Sequence, residues 1–170
     1  MNKVAFFSNT ILGAILLFSY YYFININPKI SNKLWGSIKG LERKLTIISG
    51  IVTSILYLVL IYYFSFSFKK SNNNNKLINE IVTYQILLII ISMLWLPLSI
   101  EYIKNKSILL KFSIILTLFL VAIFAFIIFY KLLKVQDNKL IKKLALFAAF
   151  MLFFHTFFLD FINWNIKFFN

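Results

Sequence analysis

Cysteine is absent from the 170-residue chain. That excludes disulfides, thiol redox chemistry, thiolate metal sites and palmitoylation of this polypeptide. Histidine occurs once, as His155. Membrane metal hydrolases and desaturases need several imidazole or carboxylate ligands on neighbouring helices, so no metal site and no cofactor are expected. Glycine (4) and proline (2) are scarce. No glycine-rich phosphate loop, nucleophile elbow, HExxH or selectivity-filter sequence is present. The expectation is a non-enzymatic protein.

What is abundant is apolar. Hydrophobic residues make up 61% of the chain and aromatic residues 19%, with 21 Phe. The mean hydropathy is +0.86. A soluble domain of this length cannot hide that much apolar surface. Near-continuous apolar runs of about 20 residues are the signature of membrane spans. The sequence predicts a single all-α membrane domain over residues 1–170, a bundle of five transmembrane helices at about 4–24, 45–66, 79–101, 108–131 and 144–165.

A signal-peptide reading of the first run is disfavoured: the run exceeds the usual apolar region of roughly 7–15 residues and ends in Tyr20-Tyr21-Tyr22-Phe23, without a small-residue cleavage site. It reads as a retained helix with an aromatic belt. Asn9 and Gly13, one turn apart, are expected to face the bundle. Over about 28–43, Ile30, Leu34, Ile38, Leu41 and Leu45 recur at helical spacing between charged residues. They predict an amphipathic helix in the membrane interface, with Trp35 at headgroup level; the alternative is an ordered loop leaning on the bundle. In the second run, Ser49/Thr53 and Gly50/Ser54 form small-residue pairs that favour close helix contact. Residues 67–78, with Lys69-Lys70-Ser71 and Asn72 to Asn75, read as a polar loop. The fourth run is the most uniformly apolar, and the largest lipid contact is expected there.

The last run carries a line of small and polar residues: Ala145, Ala149, Leu152, Thr156, Asp160 and Asn163. Small residues let another helix approach closely. A carboxylate is costly in hydrocarbon, so Asp160 should face protein or water. The line is therefore the expected packing seam. His155 and Asp160 are five residues apart, about 140° around an ideal helix, so direct pairing is not expected.

The net charge is +13. The Lys residues fall between apolar runs, where they meet anionic headgroups rather than nucleic acid. With five spans the termini lie on opposite sides, and the 18 Lys and Arg divide equally between them. Lys142 and Lys143, just before the last run, lean toward an inside N-terminus.

Three roles follow from this class. The first is a structural or interaction protein whose partner is another membrane protein or a second copy. The second is a binder or transporter of a small lipophilic ligand, with a pocket between the third and fifth spans formed by Gln85, Ser92, Trp95, Thr156, Asp160 and Asn163. The third is an oligomeric channel or permease subunit. Tyr84-Gln85 through Trp95-Leu96-Pro97 resembles the third-helix pattern of the translocator proteins, and Phe161-Ile162-Asn163 is similar to their final helix. The resemblance implies a five-helix bundle that binds sterol-like and porphyrin-like ligands. It stops there: the first connection lacks that family's Trp-Tyr and repeated-Pro pattern, so no binding residues carry over.

Overall fold

A computed structural model describes residues 2–67 and 72–170, without the side chains of Ser31 and Asn72 to Asn75. The described residues are almost wholly helical: α1 (Lys3–Ile26), α2 (Pro28–Ser31), a 3-10 turn (Lys33–Trp35), α3 (Gly40–Tyr62), α4 (Asn72–Lys104), α5 (Ile108–Leu133), α6 (Leu140–Phe154) and α7 (Asn165–Phe169). Two stretches have the wider π-helical turn. Tyr63–Ser67 extends α3, and His155–Trp164 joins α6 to α7. Among the described residues, five helices are long and apolar enough to cross a membrane: Lys3–Ile26, Gly40–Ser67, Lys76–Lys104, Ile108–Leu133 and Leu140–Phe169. All five predicted runs are thus helices, each somewhat longer than its predicted segment.

Four expectations about the helices and their side-chain pairing change; those about the pocket residues follow with the site. The amphipathic helix over 28–43 does not form as one piece. The chain leaves the 3-10 turn at Gly36 and enters α3 at Gly40, both with positive φ, a conformation that costs glycine little and would strain other residues. The connection is instead an ordered loop leaning on the bundle. Leu34 and Ile38 are buried, whereas Leu41 and Leu45 point outward. The polar loop at 67–78 is shorter than predicted, because α4 already begins at Asn72; its residues 68–71 lie outside those described. α5 is the most buried of the five long helices, not the most exposed: 39% of its apolar window is buried, against 11% for α1. Hydropathy could not tell these apart, since protein interior and lipid are equally apolar. The fourth change, in the His155–Asp160 pair, belongs to the site below.

The core runs along α3, α4, α5 and α6. Leu60, Tyr63, Ile81, Ala125, Ile128, Leu132, Ala145, Ala148 and Ala149 are all fully enclosed. The seam residues Ala145, Ala149, Leu152 and Thr156 are buried. Their small side chains bring α6 close to its neighbours, as the van der Waals packing of apolar helices requires.

Polar contacts fasten the two ends of the bundle. At the end where α1 starts, Asn2 N donates to Ser65 O at 2.8 Å. There Lys131 Nζ meets Glu80 Oε2 at 2.5 Å, tying α5 to α4. Tyr63 Oη donates to Asp137 Oδ2 at 3.1 Å, and Lys139 Nζ to Ser67 O at 2.8 Å. At the far end the 28–39 connection is latched to the chain's last turns. Trp164 Nε1 donates to Leu34 O at 2.8 Å, and Ser37 N to Lys167 O at 2.9 Å. Arg43 lies 4.8 Å from the Trp35 ring centre.

Candidate functional site

Between these ends, α1 and α3 draw apart. They touch near the start of α1, where Tyr57 Oη donates to Asn9 Oδ1 at 2.7 Å and the rings of Phe6 and Phe66 stand 5.4 Å apart. Beyond that point their facing residues line a cavity of about 800 Å³. On α1 these are Asn9, Gly13, Leu16 and Tyr20, at positions i, i+4, i+7 and i+11, which share one helix face. On α3 they are Gly50, Thr53, Tyr57 and Ile61, at i, i+3, i+7 and i+11. Leu88, Ser92 and Trp95 of α4, Leu118 and Val121 of α5, and Leu152 of α6 form the back wall. His155, Thr156, Asp160 and Trp164 complete it from the π-helical stretch. Because exposed Leu17, Leu58 and Tyr62 also line it, the cavity opens sideways between α1 and α3.

Two glycines shape this space. A Cβ on Gly13 would have no atom within 4 Å, so the cavity widens beside it. A Cβ on Gly50 would sit 3.5 Å from His155 Cε1, an ordinary van der Waals contact, so the imidazole packs against α3 at this point.

His155 Nε2 lies 3.5 Å from Asp160 Oδ1. This corrects the expectation that the two are on different faces. In a π-helix the backbone bonds run from i to i+5, so a residue five positions on stacks over the first. Ser49 Oγ is 2.9 Å from the other ring nitrogen, Nδ1. Ser49, His155 and Asp160 thus form one polar chain from α3 to the cavity.

The predicted site residues divide. Ser92, Trp95, Thr156 and Asp160 line the cavity. Ser92 Oγ and Thr156 Oγ1 donate to carbonyls of their own helices, Leu88 O and Leu152 O. The Ser92 carbonyl accepts from Tyr20 Oη at 2.9 Å. Gln85 and Asn163 do not reach the cavity. Gln85 is fully buried, and its Oε1 lies 3.5 Å from Asn9 Nδ2. Asn163 Nδ2 donates to Glu42 Oε1 at 3.0 Å, at the far-end rim. The pocket is therefore not confined between the third and fifth long helices; α1 and α3 supply half its wall. Asn9 and Gly13 gave the signal for α1, and extending their face to Leu16 and Tyr20 would have found it.

Three buried polar atoms in this region have no hydrogen-bond partner: Thr53 Oγ1, Trp95 Nε1 and Gln85 Nε2. The Trp95 ring packs edge-on against Trp164, with centres 5.2 Å apart, and lies 5.8 Å from Tyr20. An aromatic cluster and a carboxylate thus share one end of the cavity.

No protein-family model matches the chain, and no curated protein or solved structure matches it either.

Proposed function

We propose that this chain is a multi-pass membrane protein that holds a small lipophilic ligand in the cavity between α1 and α3. The observation that carries the reading is the cavity itself. Its volume, about 800 Å³, falls in the usual range of ligand pockets, roughly 300–1,000 Å³. Its walls are mostly apolar, with polar groups toward both ends, Asn9, Thr53 and Tyr57 at one and Ser92, His155, Thr156 and Asp160 at the other, the kind of lining that gives such pockets affinity and orientation. An apolar groove of this volume, open between α1 and α3, can take a guest molecule from the surrounding apolar phase, so ligand binding is the preferred reading. The sideways opening faces the surface that five apolar helices would present to lipid, and a lipophilic ligand would enter by that route. Anionic headgroups around the Lys-rich ends would help to seat the bundle.

Photolabelling tests this. The full chain, in nanodiscs, is irradiated with a diazirine-bearing dodecanol, and adducts are mapped by mass spectrometry. Adducts on Leu88, Leu118 and Leu152, displaced by unlabelled dodecanol, are the expected result. Labelling confined to outward residues such as Leu116 and Phe119, or inward labelling that never saturates, would contradict the proposal.

A further inference from the structure

The chain and its cavity carry opposite charge. Overall there are 18 Lys and Arg against 5 Asp and Glu. Among the described residues lining the cavity there is no Lys or Arg, and there is one carboxylate, Asp160. The basic residue nearest on its helix, Lys167, lies at the rim, with Nζ 3.8 Å from Glu42 Oε2. The ionisable partner that does approach Asp160 is His155, which is positive only when protonated. Either Ser49 or His155 can be the donor in their contact, and the ring offsets the carboxylate only when it carries both protons. Among the described residues, no other cationic side chain lines the cavity beside Asp160, in surroundings where an unpaired charge is costly.

Aromatic faces stand beside it. Trp164 follows Asp160 by one turn of the same helix. Tyr20 and Trp95, with ring centres 5.8 Å apart, line the cavity, and Trp164, stacked on Phe168 at 4.1 Å, supports Trp95 from behind. Aromatic faces attract cations, most strongly where water is excluded. An anionic head would be repelled by the carboxylate, and a neutral one would leave its charge uncompensated.

We infer that the cavity selects a lipophilic cation: an ammonium or quaternary amine on an apolar chain or ring system. The charged head sits at Asp160 beside Tyr20 and Trp95. The apolar part lies along Leu16, Leu88 and Leu118 toward the gap between α1 and α3. The sideways opening gives such a ligand a path clear of the Lys residues that would repel it at the ends of the bundle. This inference rests on the ligand site proposed above.

The test uses the full chain in a non-ionic maltoside detergent, with the diazirine dodecanol as reporter. Dodecyltrimethylammonium, dodecanol and dodecanoate compete for the inward labelling sites. The cation is expected to displace the reporter at about tenfold lower concentration than the alcohol, with dodecanoate the weakest, the ratio an ion pair plus cation–π contact gives. Asp160→Asn is expected to remove the cation's advantage and leave labelling by the alcohol in place. The native ranking stands as a test even if that variant fails to fold. Equal displacement by cation and alcohol, or an advantage that survives in Asp160→Asn, overturns the selectivity while leaving the ligand site intact. If no probe labels the inward residues of the native protein, both proposals fall.

Discussion

Asp160 faces His155 across 3.5 Å although five residues separate them along the chain. The pairing exists because His155–Trp164 takes π-helical turns. Extended π-helix is rare and its single-turn form concentrates at functional sites, because the wider turn re-aims side chains that an α-helix would keep apart. Here it directs a carboxylate and an imidazole into the same cavity.

That pair should be energetically coupled. A double-mutant cycle with His155→Leu and Asp160→Asn, followed by thermal unfolding in detergent, is expected to give a coupling of about 0.5–1 kcal/mol. The value sits at the low end for contacting residues because 3.5 Å is at the outer limit of a hydrogen bond. Strict additivity would mean that the π-helical register does not bring the two together.

The latch at the far end makes a contrast between two glycines. Gly36 has φ +53°, and a Cβ there would collide with the backbone of Lys167 and Phe168. Gly40 has φ +56°, but a Cβ there would meet nothing within 4 Å. Gly40→Ala should cost only the left-handed strain, about 1–2 kcal/mol. Gly36→Ala should cost more and release the connection, seen as a change in Trp164 fluorescence as its bond to Leu34 O is lost. Equal losses of stability with unchanged fluorescence would show that the connection is not docked in this way.

Ala149 is fully enclosed. Ala149→Leu should overpack the seam and destabilise the bundle by roughly 1–3 kcal/mol. Phe147→Leu, at a position 53% exposed, should stay within about 0.5 kcal/mol. Denaturant titration of both variants compares them, and a silent Ala149→Leu would move the seam elsewhere.

Much of this architecture is legible in the sequence, for physical reasons that differ between elements. The five long helices follow from apolar length alone. The seam follows from the spacing of Ala145, Ala149, Leu152 and Thr156, because small side chains on one face have one good use among apolar helices. The break at Gly36 was visible as a glycine but not as a positive φ, which the docked backbone of Lys167 imposes from far along the chain. The burial of α5 was not legible, since Ile and Phe suit lipid and protein interior alike. The cavity was half legible. Ser92, Trp95, Thr156 and Asp160 were found as polar or aromatic residues in apolar helices. Gly13, Gly50 and the parting of α1 from α3 make up the empty side of the site, and empty space has no residue pattern. The His155–Asp160 pair was hidden because no sequence period announces a π-helical turn.

Filling the cavity tests the ligand site most directly. Gly13 lines the cavity, and a Cβ there meets nothing within 4 Å, so Gly13→Phe starts its side chain in the cavity's open space. In nanodiscs with the diazirine dodecanol, this variant is expected to lose adducts on Leu88, Leu118 and Leu152, keep those on Leu116 and Phe119, and unfold at an unchanged temperature. Inward labelling that persists in a folded Gly13→Phe protein would contradict a ligand site between α1 and α3.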